Sequence, residues 1–370
     1  MIQKIRLGAD GVVTAGRTQP YISGAAKQRP AVKLNRLQKL IKSREPYICV
    51  VRGEGIGDVL MTTPTVHALK NIFKKVYITY ATNTKYLDGA LVKVLQHNPD
   101  VDEILERQLL DDSRYDLVIN LHCPAIWHEK PGKKPINRID LFANHAGVKL
   151  PSTSPRYFVQ PEEIEDGAKL VSHLQGDKVI LVQPSASNQR RSLDHGKLKA
   201  ALTTLGSTHG IKSLVLTHSS DFGTDVLWDN IPGCKTMKDL DIRQIAGLMV
   251  HCDLVLCPDS SVLHLAGALR VPTVSFFGPT HPAARVNYYP EAVAIWKGED
   301  LNPCPCWYDT CPIGEACWAN MSATDLVTAL EPHFEILELR STSFDLEKHK
   351  HAKAWVMVAR RRIFYLEESE

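Results

Sequence analysis

Short apolar runs alternate with stretches of helical spacing along most of this chain. Tyr47-Ile-Cys-Val-Val51 has no polar interruption, the pattern of a strand covered on both faces of a parallel sheet. Gly53, Gly55 and Gly57 follow at alternate positions, and Val59, Leu60, Val66 and Leu69 then take up helical spacing. Further strands are expected at 76–80 and 115–121, with helices over 59–73 and 84–96. Residues 122–160 are rich in Pro, Gly and His, carry the basic residues Lys130, Lys133, Lys134 and Arg138, and read as loops, closing on the linker Pro151-Ser-Thr-Ser-Pro155. The rhythm restarts with strands at 178–182, 213–217, 253–257 and 272–277 and helices near 194–206 and 240–251. This alternation predicts an α/β protein of two Rossmann-like lobes, with parallel sheets facing a central cleft. The expected divisions are an N-terminal extension over 1–45, a first lobe over 46–155, a second lobe over 156–335 and a tail over 336–370.

The ends change this picture through charge. The chain of 370 residues carries a formal net charge of only +3, with 44% hydrophobic and 23% charged residues, an ordinary globular composition. Residues 27–44 nevertheless hold Lys27, Arg29, Lys33, Arg36, Lys39, Lys42 and Arg44 and no acid. Leu34, Leu37, Leu40 and Ile41 share one side of that segment, as in a basic amphipathic helix. It either packs on the first lobe with a solvated basic face or docks on an anionic surface, lipid or nucleic acid. Lys348, Lys350, Lys353, Arg360, Arg361 and Arg362 make the tail basic too. No stretch is long and apolar enough to span a membrane, and the N-terminus lacks the apolar core of a signal peptide. A cytoplasmic location is expected, with peripheral attachment at the inner membrane surface an extension of it. The nine cysteines are then expected as thiols or metal ligands rather than as a disulfide framework.

Five segments carry candidate chemistry. Asp58 stands where the glycine turn becomes a helix, at the carboxyl end of a strand, the usual position of ligand crevices in open α/β sheets. In Cys257-Pro-Asp259-Ser260-Ser261-Val-Leu-His264, a strand end passes into a helix whose N-terminus suits an anion such as a diphosphate. His264 lies one turn along from Ser260; capping and packing are the plain alternatives for this pair. The turn Phe277-Gly278-Pro279-Thr280-His281 and the loop ending in Arg190-Arg191 offer hydroxyl and guanidinium groups at two further strand ends. Cys304, Cys306, Cys311 and Cys317 form a compact cluster suited to a structural zinc, although their spacing is not a standard zinc pattern. Asp239-Leu-Asp241 resembles a metal-binding Asp-x-Asp motif but is expected to start the 240–251 helix, where acids suit the helix dipole.

Taken in order, Gly57-Asp58-Val-Leu-x-Thr-x-Pro64, Asp259-Ser-Ser-x-x-His264-x-Ala266 and Phe277-Gly278-Pro279-Thr280 resemble the signatures of the lipopolysaccharide heptosyltransferases, glycosyltransferase family 9. The cysteine segment is similar to one found in many members. The resemblance covers roughly residues 47–330 and implies the two-lobed GT-B fold. It implies inverting transfer of a sugar from a nucleotide-diphosphate donor to the hydroxyl of a glycan acceptor, with no cofactor needed for the chemistry. Asp58 then matches the base. Arg191, with Arg190 beside it, matches the basic residue facing the diphosphate, and Asp259, Ser260, Ser261, His264 and Thr280 match the donor side. Asp259-Ser-Ser261 departs from the Asp-[Ser/Thr]-Gly of many members, and Ser192-Leu193 stands where an aromatic residue often follows the basic loop.

Three other functions compete. The same catalytic apparatus could glycosylate a hydroxymethylated base in duplex DNA, as phage modification enzymes do, and the basic segments are what favours this. A nicotinamide-dependent oxidoreductase is disfavoured because Gly53-x-Gly55-x-Gly57 lacks the G-x-G-x-x-G spacing. A non-catalytic sugar-nucleotide binder is disfavoured by the presence of Asp58.

Overall fold

The computed structural model describes residues 6–7, 13–14, 45–73, 75–122, 135–174, 177–219, 226–302, 304–306, 311, 313–314 and 316–330. The basic segments 27–44 and 348–362 and the lysines of the 130–134 stretch lie outside the described residues. Arg6–Leu7 (β1) pairs antiparallel with Val13–Thr14 (β2), apart from the two main sheets.

The front lobe is built from Tyr47–Val51 (β3), Ile56–Ile72 (α1), Tyr77–Thr82 (β4), Ala90–Leu95 (α2), Glu103–Glu106 (β5), Leu117–Asn120 (β6) and Arg138–Ala146 (α3). Its four strands are parallel, in the order β5-β4-β3-β6. The chain steps outward from β3 to β4 and β5, then returns to the other side of β3. The carboxyl end of β3 is therefore the switch point of this sheet, and Asp58 lies just beyond it.

The back lobe follows with Pro161–Val171 (α4), Val179–Val182 (β7), His195–His209 (α5), Lys212–Thr217 (β8), Cys234–Lys238 (β9), Ile242–Met249 (α6), Leu254–Pro258 (β10), Ser261–Leu269 (α7), Thr273–Phe277 (β11), Ala292–Trp296 (β12) and Ala316–Ala319 (α8). Its six parallel strands run β12-β11-β10-β7-β8-β9, which puts the switch point between β7 and β10. The Arg190-Arg191 loop leaves β7 and the Asp259-Ser260 loop leaves β10, so both border that crevice.

Pleating divides the core. Val179 and Leu181 of β7 join a cluster that continues into the front lobe through Val262 and Leu263 of α7 and Val59 and Leu60 of α1. Ile180 and Val182 point the other way, to Leu198, Leu202 and Leu205 of α5 and to Trp318. The lobes thus share a continuous apolar seam.

Local chemistry explains the motif after Asp58. Pro64 sits inside α1 and has no N–H for the carbonyl of Leu60. The Thr63 hydroxyl donates to that carbonyl at 2.6 Å, and Thr62 donates to Val59 at 2.7 Å. The threonines serve the helix, and their side chains are buried.

The structure corrects several expectations. The second helix is short, Ala90–Leu95, because the chain turns through Leu87, Asp88 and Gly89 with positive φ before it. Residues 138–146, expected as loop, form α3, with Asn137 capping the Ile139 N–H at 3.0 Å and Gly147 closing the helix in the left-handed region. β5, β9 and β12 were not expected: all three are edge strands, and Glu103–Glu106 and Cys234–Lys238 lack a continuous apolar run, whereas the apolar run Ala292–Trp296 of β12 was overlooked. Asp241 caps α6 as expected, accepting from the backbone N–H groups of Arg243 and Gln244.

Candidate active site

Gly55, with φ of 81°, turns the chain from β3 into α1, and Asp58 sits in the first helical turn. Both of its carboxylate oxygens are occupied. Arg52, the residue after β3, donates to Oδ2, and Nη1 of Arg138, the first residue of α3, donates to Oδ1 at 2.5 Å. All three side chains are about nine-tenths buried, with 10–12% of their surface exposed. Arg52 is fastened further: Nε donates to Glu54 O at 3.0 Å, and Nη1 to His122 O at 2.7 Å and Leu121 O at 3.2 Å. Burial by itself would raise the Asp58 carboxyl. The guanidinium charges of Arg138, Arg52 and Arg285 outweigh it and hold the group well below the usual carboxylate range.

The back lobe answers with a second buried carboxylate. Asp259 Oδ2 accepts from the Thr280 hydroxyl at 2.9 Å, and Oδ1 lies 3.3 Å from Nε of Arg285. Arg191 Nη1 donates to the Asp259 carbonyl at 2.9 Å and stands 3.5 Å from Oδ2. Burial again opposes ionisation, and Arg285 and Arg191 overcome it, so Asp259 too is held below its usual range. His264 Nδ1 pairs with the Tyr289 hydroxyl at 2.8 Å, and Nε2 lies 3.9 Å from Asp259. Burial pushes His264 down to about 4 against the pull of Asp259, so the imidazole is neutral at pH 7. His122, beyond β6, is pushed down to about 3 by burial and by Arg52 and Arg107.

The two halves meet directly. A Cβ on Gly57 would stand 2.3 Å from Cδ2 of His264, so only glycine lets α1 approach α7 this closely. Within the front lobe, a Cβ on Gly53 would stand 2.2 Å from Nη1 of Arg107, the end of a flexible side chain. Asn137 Nδ2 donates across the seam to the carbonyls of Arg285 at 3.3 Å and Ala283 at 3.4 Å, and Tyr288 donates to Asp140.

The structure therefore brings Gly53, Gly55, Gly57, Asp58, Arg191, Asp259, Thr280 and His264 to one cleft. Ser260 is the N-cap of α7, yet its hydroxyl makes no capping bond. Its Oγ is buried without a hydrogen-bond partner among the described residues. Ser261 begins the helix beside it. Arg190 turns away: Nη2 lies 3.6 Å from Cys306 Sγ, and its carbonyl accepts from the Trp318 indole at 2.6 Å. Thr280 spends its hydroxyl on Asp259 and is 2% exposed, so it braces the Asp259 loop.

Sequence reasoning overlooked Arg52, Arg285 and Tyr289 and counted Arg138 only among scattered basic residues. A cation directly after a buried strand was the available signal for Arg52, and the Asn137 cap was the one for Arg138. Nothing in the Ala284-Arg285-Val286 neighbourhood marks Arg285.

Burial and the neighbouring thiols of Cys317, Cys306 and Cys311 push Cys304 up to about 12, so the four cysteines share one corner, behind the Arg190 loop. Among the described residues no group of three or more His, Cys, Asp or Glu side chains is arranged to hold a metal ion, and the intervening residues 307–310, 312 and 315 lie outside that set.

Comparison with known proteins agrees with this geometry. The family model of glycosyltransferase family 9 (heptosyltransferase) matches residues 126–316, just over half of the chain. Lipooligosaccharide heptosyltransferase 2 of Campylobacter jejuni subsp. jejuni serotype O:2 is 23% identical over 309 residues, which cover 70% of this chain and 88% of that protein. A family 9 glycosyltransferase from Veillonella parvula superposes with a TM-score of 0.61 at 17% identity, over 79% of this chain and 97% of the other. The ADP-heptose lipopolysaccharide heptosyltransferase II of E. coli gives 0.60 at 14% identity, over 79% and 99%. The chain belongs to glycosyltransferase family 9, the heptosyltransferase family, and has its GT-B fold.

Proposed function

We propose that this glycosyltransferase moves a sugar, with inversion, from a nucleotide-diphosphate donor to a hydroxyl of a bacterial surface glycan. One observation carries the reading: an ionised carboxylate at the front switch point, Asp58, lies across a seam only a glycine wide from His264 and the strand end that bears Asp259 and Ser260. In the step, the acceptor oxygen attacks the anomeric carbon as the bond from that carbon to the diphosphate oxygen breaks. The acceptor proton passes to Asp58, and the leaving diphosphate keeps the bonding electrons. A base on one side and a leaving-group site on the other suit a single in-line displacement, hence inversion.

Charge develops on the diphosphate in the transition state. Arg191, aligned by Asp259, and the N-terminus of α7 with the Ser260 hydroxyl are suited to meet it. Guanidinium groups in this role make a divalent cation unnecessary for the chemistry. The neutral His264 adds no competing positive charge and fills the seam beside Gly57. The relatives are named for ADP-heptose and lipooligosaccharide, so ADP-heptose is the first donor to try and a core oligosaccharide the first acceptor. No described helix is long and apolar enough to cross a membrane, and a lipid-linked acceptor would be met peripherally.

The test is transfer from ADP-heptose and other nucleotide sugars to core oligosaccharide, with NMR of the product's anomeric centre. Asp58→Asn should lower turnover by about 10²-fold or more, and the product should show inverted configuration. Normal turnover in that variant removes Asp58 as the base, and retained configuration removes the single displacement.

A further inference from the structure

The base proposed above is doubly held, and this bears on how it works. A carboxylate with a guanidinium on each oxygen is a weak proton acceptor, because a proton must compete with two cations. Each oxygen keeps a second lone pair, but release of either cation would make Asp58 a stronger proton acceptor. Arg52 is not suited to let go: besides Asp58 it serves the carbonyls of Glu54, Leu121 and His122. Swinging it out would strand those groups in a largely buried setting. Oδ1, where Arg138 donates, is the side of the carboxylate nearer the back lobe's charges and the one at which an arriving anion can compete for the cation.

The position of Arg138 shows where it goes. It is the first residue of α3, and its neighbour Asn137 is tied to the back-lobe carbonyls of Ala283 and Arg285. Arg138 therefore stands at the edge of the front lobe, on the seam. Its charge is felt by Asp58 and also by Asp259 and His264 across the cleft. On that far side lies the buried, unpartnered hydroxyl of Ser260, at the N-terminus of a nine-residue helix. A guanidinium fork matches phosphate oxygens as well as it matches a carboxylate.

We propose that Arg138 is a positioning residue shared between two anions: it clasps Asp58 Oδ1, and it passes to the donor's diphosphate when donor binds, which uncovers the base. The proposal rests on the donor reading given above. Its consequence is an order of events. The base becomes a stronger proton acceptor once the leaving group is seated, and the same cation then neutralises charge on the departing diphosphate. No bond is made or broken in the exchange; one ion pair replaces another.

The test is a double-mutant cycle on nucleotide affinity, read by isothermal titration calorimetry with the full chain and with ADP, UDP and GDP as probes. For the nucleotide that binds best, Arg138→Gln should weaken binding by about tenfold or more, the range for a charge-assisted hydrogen bond. Asp58→Asn should tighten binding several-fold, because Arg138 no longer has a competing partner. In the Arg138→Gln background the same Asp58→Asn change should alter affinity by less than about twofold, the scatter of uncoupled sites. Thermal unfolding of each variant checks that it is folded. If Arg138→Gln does not fold, Arg138→Met, which keeps the apolar stem and removes the charge, replaces it with the same expectations.

Two results overturn the exchange alone: unchanged affinity in the Arg138 variant, or equal tightening by Asp58→Asn with and without Arg138, which would mean simple through-space repulsion. If no nucleoside diphosphate binds the wild-type chain, the donor reading falls first and the exchange falls with it.

Discussion

Gly57→Ala is the most informative single change at the seam. The added Cβ would sit 2.3 Å from Cδ2 of His264 and 3.2 Å from its Cγ and Nε2. Ordinary carbon contacts lie at about 3.5–4.0 Å, so one wall must retreat by roughly 1 Å. The imidazole cannot turn aside cheaply, since it is 3% exposed and its Nδ1 is fixed by Tyr289 at 2.8 Å. The backbone of α1 cannot shift without disturbing Asp58, the next residue, and the two arginines on it. Overpacking of this kind costs about 1–3 kcal/mol. The wild-type and variant chains would be compared by urea unfolding and by transfer rate. The expected outcome is a loss of stability in that range together with slower transfer. His264→Ala vacates the clashing volume, so in that background Gly57→Ala should cost less than about 0.5 kcal/mol. A Gly57→Ala chain as stable as wild type would mean that the lobes are not in contact at this point.

Two further outcomes test the buried charges. His264 is depressed from 6.5 to about 4, so as pH falls through that window the unfolded chain binds a proton that the folded chain refuses. Its contribution to stability is complete above pH 6.5 and is lost toward pH 4, with a slope approaching 1.4 kcal/mol per pH unit. His122 acts in the same sense. Unfolding free energies measured between pH 7 and 4 should therefore fall less steeply in His264→Asn, and an identical slope would remove His264 from the account. Arg285→Met should be far more damaging than an ordinary surface substitution, by about 3–5 kcal/mol, because it leaves Asp259 and Asp58 short of a buried cation. Chemical denaturation checks this, and a loss below about 1 kcal/mol would show that the charge is compensated elsewhere.

Much of the fold was legible because it is written locally. β3, β7, β10 and β11 are central strands covered on both faces, and such strands need unbroken apolar runs. β5 and β9 lie at sheet edges, where Glu103, Glu106, Lys235 and Lys238 interrupt the apolar pattern, so no run announces them; β12, at another edge, is an apolar run that the reading of the sequence passed over. α4 was missed for another reason. It has the Pro161 start and the Gln160–Glu163 capping box of a helix, but only Gly167 is buried on it, because Gly167 and Gly247 let α4 and α6 approach backbone to backbone. A helix that packs through glycine carries no apolar stripe.

The candidate site divides in the same way. The glycine turn, Asp58, the Asp259-Ser260-Ser261 loop and the two-arginine loop all stand at strand ends, and the alternation of strands and helices fixes that by itself. Which arginine faces the cleft was not fixed: Arg191 and Arg190 are adjacent, and only packing sends one to Asp259 and the other to Cys306. Nor could the sequence say that Asp58 is held on both oxygens, by Arg52 beside it and by Arg138 eighty residues on, or that Arg285 serves the second carboxylate. Periodicity reports which face of an element is covered. The partner that covers a buried charge is chosen by the closing of two sheets on each other, and no run of neighbouring residues records that choice.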